Sequence, residues 1–345
     1  MYTLKVVKII QESNDAATLC FKQPGLKKVK YLPGQYLTLI VRINGRKYIR
    51  PYSFSSAPGI DELLEVTIKR VIGGVVSNHL VDVIKEGDVL EVLQPLGDFV
   101  LNPDADLSDK HIVLWGAGSG ITPLMSIAKY ALHNNIAAHV SLVYGNRNPS
   151  DVIFKDKIEA LQEKFGDTFS AWHFHTRLTI PINNPNIIEG RINPNKVLSI
   201  MKNAGDFKQS LHYICGPAGL KESVKGSLTG LGLDEKNIFS EDFELVRDPA
   251  EFENITTQMV SVKKNGATEL VEVIKGKSIL EAGLDANVDL DYSCQTGSCF
   301  ICKGKVLSGE VKMIGVQKSL DELQVDECLL CCSFPLTNNV SVVII

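Results

Sequence analysis

Residues Asp291–Cys302 read DYSCQTGSCFIC, placing Cys294, Cys299 and Cys302 in a C-x4-C-x2-C run, with Cys328, Cys331 and Cys332 further along the chain. Three thiols this close on a loop containing Gly297 and Ser298 cannot pair among themselves without strain. They can converge on one iron centre. Zinc knots favour paired C-x2-C units, and only one such unit is present, so iron is the better reading.

The run resembles that of the plant-type [2Fe–2S] ferredoxins, which implies a distant fourth ligand. In that family the last ligand lies four residues before a proline that opens the final strand, and Pro335 then selects Cys331. Counting from Cys302 by the commonest family gap selects Cys332 instead. The proline register is preferred, because loop length drifts more easily than the packing of a terminal strand. The expected ligands are therefore Cys294, Cys299, Cys302 and Cys331, with Cys328 a small buried apolar residue. Residues 257–345 as a whole resemble a ferredoxin-type β-grasp domain. They offer two alternating strands (QMVSVKKNG, TELVEVIKG), a short helix at SILEAGLDA, the cysteine loop, KGKVLSGEVKM as a hairpin, and a closing strand. Such a centre passes one electron at a time, so something upstream must supply electrons singly.

The chain has 345 residues, 44% apolar and 22% charged, enough for two or three ordinary cores. A net charge of -4 without any Lys/Arg block argues against a nucleic-acid partner. No apolar run reaches the length of a membrane span, and MYTLKVVKIIQES alternates like a strand rather than a signal peptide. Eight cysteines, mostly in the carboxyl-terminal region, fit thiols kept reduced in a cytoplasm.

Residues 1–105 read as strand after strand (TLKVVKII, ATLCFKQ, QYLTLIVRI, RKYIRPYSFS, LLEVTIKRV, DVLEVLQPL), punctuated by PG, NG and GG turns. That pattern predicts an antiparallel barrel or sandwich. Within it, Arg50-Pro51-Tyr52-Ser53 and the Gly74-Val75-Val76-Ser77 helix start resemble, in type and order, the flavin-binding barrel of the ferredoxin–NADP reductase superfamily. The residue types suit that use. Arg50 offers a fixed fork to a pyrophosphate, Tyr52 a flat face to the flavin ring, Ser53 a bond to a ring nitrogen. The N–H groups of Val75, Val76 and Ser77 make an anion site. The resemblance implies that Thr67, Ile68 and Lys69 lie along the cofactor. FAD rather than FMN is expected, since the G-x-x-S element suits a dinucleotide's pyrophosphate.

From residue 106 the period changes to strands alternating with helices, which implies a doubly wound parallel sheet through residue 243. Phe154, Ile158, Leu161 and Phe165 recur as one buried helical face in DVIFKDKIEALQEKF. The first strand-to-helix turn, Gly116-Ala117-Gly118-Ser119-Gly120-Ile121-Thr122-Pro123, lets backbone approach a diphosphate, although it is not G-x-G-x-x-G. It resembles the nicotinamide-domain turn of the same superfamily, as does Cys215-Gly216-Pro217. There the cysteine sits by the nicotinamide, so Ser53 and Cys215 are the expected catalytic residues. Arg147, where an NAD-selective fold would place an acid, suits a 2′-phosphate, and NADPH is expected, with NADH possible in its place. Residues 181–195 (PINNPNIIEGRINPN) read as a Pro/Asn loop, and 244–256 as a linker to the ferredoxin domain. Cys20 reads as core, and the histidines as structural or surface.

The resemblance thus covers a flavin barrel, a nucleotide domain and a ferredoxin domain. This order is similar to the oxygenase reductases of the phenylacetyl-CoA epoxidase reductase type. It implies an NAD(P)H-dependent reductase passing electrons to an oxygenase component. Alternatives are a general reductase for another acceptor, such as a dioxygenase or desaturase, and a non-catalytic redox sensor. Asp285, Asp289, Asp291, Asp321, Glu322, Asp326 and Glu327 are a candidate acidic docking face for the acceptor.

Overall fold

The computed structural model describes residues 1–25, 27–178, 184–203, 209–245 and 248–345. The chain divides into two compact units, Met1–Glu241 and Asp242–Ile345.

In the first unit, β1 (Tyr2–Ser13), β2 (Ala16–Phe21), β3 (Tyr36–Ile43), β4 (Arg46–Ser53), β5 (Leu64–Lys69) and β6 (Val89–Val92) form an antiparallel sheet in the order β4-β3-β6-β1-β2-β5. A bridge between Phe54 and Val66 brings its two ends together, as a barrel requires. Helix α1 (Val75–Asp82) covers one mouth, with Val76 and Leu80 joining Leu37, Leu39, Phe54 and Val66 in the core.

The nucleotide-domain sheet is parallel throughout, in the order β10-β9-β8-β7-β11-β12. Its strands are β7 (Leu107–Ala117), β8 (Ala137–Asn146), β9 (Phe169–His175), β10 (Ile187–Glu189), β11 (Ser210–Cys215) and β12 (Ile238–Glu241). Helices α2 (Ile121–His133), α3 (Lys155–Phe165), α4 (Pro194–Asn203) and α5 (Ala218–Gly230) alternate with them. The pleat of β7 explains the two layers. Ile112 and Leu114 pack with Leu124, Met125 and Ile158 of α2 and α3, whereas Val113 and Trp115 pack with Val197, Ile200, Val224 and Leu228 of α4 and α5.

Barrel and parallel sheet share apolar core, since Ala16, Phe99 and Leu101 belong to the cluster of Leu114 and Ile127. An ion network crosses the same boundary. Lys157 of α3 lies 3.0 Å from Glu65 and 3.5 Å from Glu12, and Lys129 of α2 lies 2.6 Å from Asp61. Burial works against the charge on Lys157, but Glu65 and Glu12 outweigh it and raise the ammonium above its ordinary range.

The second unit has a five-stranded mixed sheet, β14-β13-β19-β15-β17, from β13 (Gln258–Lys264), β14 (Ala267–Val273), β15 (Lys303–Ser308), β17 (Glu327–Leu329) and β19 (Ser341–Ile344). Helix α6 (Ile279–Asp285) starts at a capping box: the Ser278 hydroxyl accepts from Glu281 N–H while the Glu281 carboxylate accepts from Ser278 N–H at 2.8 Å.

Several expectations change here. Residues 303–313 do not form a paired hairpin: β16 (Val311–Met313) leaves β15 and pairs with β18 (Ser333–Pro335) in a sheet of its own. Pro335 therefore ends a short strand rather than opening the final one. Phe154 is not helical; it is the left-handed residue before α3 (φ 62°), though its ring is buried with Ile158 and Leu161. The Pro/Asn segment contains β10 and the start of α4, its residues 181–183 lying outside the described ones. In the connecting segment, 246–247 also lie outside the described residues, but Phe252 and Ile255 pack against Ile314 and Phe334 and so belong to the second unit's fold.

Ser278→Ala removes the hydroxyl half of the box at a buried position and keeps the Ser278 N–H bond to Glu281. Urea unfolding followed by the visible absorbance of the second unit should show a loss of about 1–2 kcal/mol.

Candidate functional site

The C-x4-C-x2-C loop curls because Gln295 (φ 60°), Gly297 (φ 74°) and Phe300 (φ 60°) take left-handed conformations. This turns N–H groups inward, and those of Thr296 and Ser298 donate to the Cys294 sulfur at 3.4 Å each. The short turn Leu330–Cys332 brings Cys331 to the same place. Cys294 is held far below the ordinary thiol range by hydrogen bonds from the Cys299 and Cys331 thiols, helped by Ser298 and Thr296; Cys302 is lowered by Cys331. Cys299 is raised by Cys294, and Cys331 by Cys294 and Cys302. Four sulfurs competing for protons, with backbone donors aimed at one of them, fit a cationic iron centre that would displace those protons. Cys328 and Cys20 are both fully buried, and burial pushes each thiol up to about 11.

In the barrel, Arg50, Pro51, Tyr52 and Ser53 pair with Leu39, Thr38, Leu37 and Tyr36 of β3. Ser53 is buried, and Tyr52 packs on the barrel core, where burial raises its phenol. Helix α1 begins at Gly74 without any side-chain cap, which leaves the N–H groups of its first turn, Val75 to Ser77, to an outside acceptor. A Cβ at Gly74 would sit 2.7 Å from Ser77 Oγ and 2.9 Å from Val71 Cβ, so only glycine fits. Ser77 Oγ accepts from Val71 N–H at 3.0 Å, tying this turn to the loop that leaves β5. This backbone cradle fits a pyrophosphate. Thr67 and Ile68 lie on opposite faces of β5, and both side chains are spent within the protein: Thr67 bonds Thr18 at 2.7 Å and Ser55 at 3.1 Å, and Ile68 lies in the barrel core. What β5 offers a ligand is main chain, together with Lys69, whose ammonium lies 3.5 Å from Asp15 and beside the Gly118 turn.

That turn, Gly118–Gly120, joins β7 to α2 and presses onto the end of β11. A Cβ on Gly120 would stand 2.0 Å from the Cys215 carbonyl oxygen, and one on Gly116 2.9 Å from Leu124 Cδ1. Thr122 donates to Ser119 O at 3.0 Å, and Tyr144 to Gly118 O at 2.8 Å. The register sets Cys215 beside Gly116, and Ala117 beside Gly145. Cys215 is fully buried, Gly216 packs against Ala117, and Pro217 caps α5. Farther along the same carboxyl ends, Arg147, Arg177 and Arg191 line a cavity of ≈ 700 Å³ with Thr176 and Gly190. Hydrogen bonds from Thr176 N–H to Asn146 O (3.1 Å) and from Arg177 N–H to Arg147 O (2.7 Å) prolong the strand pairing beyond the sheet and hold two of the arginines side by side. Near these strand ends the Nδ1 atoms of His173 and His175 and Nδ2 of Asn146 are buried without a hydrogen-bond partner among the described residues. Burial, with His175 beside it, pushes the His173 imidazole down to about 4, so it is neutral. Backbone at the turn, guanidiniums at the rim and unspent polar atoms below fit a dinucleotide at the carboxyl edge of a parallel sheet.

Residues 3–101 match the oxidoreductase FAD-binding domain, 114–226 the oxidoreductase NAD-binding domain and 262–336 the 2Fe-2S iron-sulfur cluster binding domain. One component of the 1,2-phenylacetyl-CoA epoxidase of Escherichia coli (strain K12) is 31% identical over 99% of this chain and 97% of its own. The chain belongs to the ferredoxin–NADP reductase superfamily of oxygenase reductases. It is an NAD(P)H-dependent reductase built for FAD, a nicotinamide dinucleotide and a [2Fe–2S] cluster. The reductase is also 30% identical to the ferredoxin reductase component of 3-ketosteroid-9-alpha-monooxygenase of Rhodococcus rhodochrous (98% and 95% covered). The reductase subunit of glycine betaine monooxygenase of Pseudomonas aeruginosa is likewise 30% identical (97% and 93%). The solved phthalate dioxygenase reductase has the same three-part fold, with a TM-score of 0.69 at 23% identity over 99% of this chain and 98% of that one. Among the described residues no helix is long and apolar enough to cross a membrane.

Arg177 and Arg191 were not singled out in the sequence. Each follows a parallel strand as Arg147 does, and the rule that ligands gather at carboxyl strand ends would have found them. The acidic docking face is weakened: Lys277 pairs with Asp285, Lys264 with Asp291, Lys318 with Glu322, Lys305 with Asp326 and Lys303 with Glu327.

Gly120→Ala should force the turn away from Cys215. Titration of flavin absorbance with oxidised nucleotide should show binding weakened roughly tenfold or more, with flavin content unchanged.

Proposed function

We propose that this reductase draws electrons from NADPH and delivers them to an oxygenase, with an epoxidase acting on an aromatic acyl-CoA the first partner to test. The likeness along the whole chain to reductase components of three oxygenases supports the partner class. The choice of NADPH rests on one observation: three arginines, Arg147, Arg177 and Arg191, line a single cavity at the strand ends. A 2′-phosphate brings a nearly dianionic group there, and bidentate arginines suit its oxygens better than they suit a ribose hydroxyl. A reducing cytoplasm is the proposed compartment, in keeping with eight free cysteines.

The flavin and the iron pair, when bound, supply the conversion of a two-electron donor into single-electron steps. The chain's own work is positioning. Arg50 and the uncapped N–H groups of α1 take the flavin pyrophosphate. Tyr52 walls the ring, and Ser53 presents its hydroxyl to a ring nitrogen. The Gly118–Gly120 turn receives the diphosphate of the nicotinamide nucleotide. Cys215, which presses its carbonyl on Gly120, then sits behind the nicotinamide and excludes water. Cys294, Cys299, Cys302 and Cys331 are the proposed iron ligands, Cys331 being the one of the adjacent pair whose thiol contacts both Cys294 and Cys302.

The native enzyme should favour NADPH over NADH in kcat/KM. Arg147→Ala should lower kcat/KM for NADPH by about 10- to 100-fold, as expected for a lost charge-assisted hydrogen bond, and leave that for NADH nearly unchanged. A native preference for NADH defeats the assignment.

A further inference from the structure

Cys332 has no part in the ligand set proposed above, yet its sulfur lies 3.7 Å from that of Cys331. On its other side it meets the ligand loop: a Cβ at Gly297, between Cys294 and Cys299, would stand 2.7 Å from Cys332 Sγ and 3.0 Å from Val316 Cα. Cys332 is fully buried, and its carbonyl accepts from Ile314 N–H at 2.9 Å, so the residue is fixed at the backbone as well. The thiol is thus clamped between one ligand and the loop carrying three others. A metal-bound sulfur is an acceptor only, because coordination takes its proton. The hydrogen bond of this pair must then run from the Cys332 S–H to Cys331.

We propose that Cys332 is a tuning and positioning residue for the cluster: its S–H donates to the Cys331 sulfur and eases acceptance of the incoming electron. Hydrogen bonds to cluster sulfurs draw off negative charge, and the stabilisation is greater for the form that carries one more electron. A packing role alone would need only an apolar side chain of similar size. The inference rests on Cys331 being the ligand.

The test uses the full chain carrying flavin and reconstituted with iron and sulfide, as Cys332→Ala, Cys332→Ser and Cys331→Ser. Iron and labile sulfide per chain are measured first, then the cluster midpoint by redox titration followed by electron paramagnetic resonance. Both Cys332 variants should keep iron and sulfide at the native ratio, and Cys331→Ser should lose them. At the native midpoint, Cys332→Ala should show its reduced-to-oxidised ratio lowered about tenfold, about 59 mV for one electron. Cys332→Ser, which keeps a hydroxyl donor, should stay nearer the native value. A native midpoint in a fully loaded Cys332→Ala overturns the proposal, as do equal shifts in both variants or loss of the cluster from both. Iron retained by Cys331→Ser but lost from the Cys332 variants makes Cys332 the ligand, and the ligand assignment itself fails.

Discussion

Thiolates repel one another, and the second unit nonetheless brings Cys294, Cys299, Cys302 and Cys331 close enough to shift one another's acidity. Everything around them serves that concentration of charge. Three left-handed residues curl the loop until its N–H groups face inward, and the Leu330–Cys332 turn delivers the last sulfur from the other side. In the proposed ligand set an iron pair would displace the thiol protons and turn that repulsion into coordination. The fold is built to hold a metal centre rather than merely to tolerate one.

The same economy of side chains recurs at each ligand bed. Gly74, Gly120 and Gly297 are places where a single added carbon would strike a neighbour at 2.7, 2.0 and 2.7 Å respectively. At all three, the proposed recognition is by main chain rather than side chain. Backbone donors cost no rotamer freedom, and a helix start or curled loop aims several at once. On the proposed reading, selectivity is added at the rim by arginines that follow the strands.

Much of this is legible in the residues alone. The barrel strands fall within a few positions of their observed limits, and the glycine turn after β7 lies where the change of period places it. What escapes has physical reasons. Strand β10 and helix α4 hide in a Pro/Asn-rich stretch, because a short edge strand held by its pairing with β9 needs little propensity of its own. Phe154 fits a helical stripe by count, although its left-handed backbone puts it before the helix; spacing reports burial, not dihedral angle. The separation of β16 from β15 depends on a distant partner, Ser333–Pro335, which no local pattern names. Thr67 looks available to a ligand until its hydroxyl is seen spent on Thr18 and Ser55. The lysine partners of the acidic residues likewise come from other elements of the sheet.

The network of Lys157, Glu65 and Glu12, together with the apolar cluster shared by Ala16, Leu101 and Leu114, bears on ancestry. A barrel severed from its parallel sheet would bare hydrocarbon and strand two carboxylates with no ammonium between them. Neither half is then a free-standing module, and the pair is inherited, swapped or lost together. Genetic shuffling has its open seam elsewhere, at the passage from Glu241 to Asp242, where one compact body ends and the next begins.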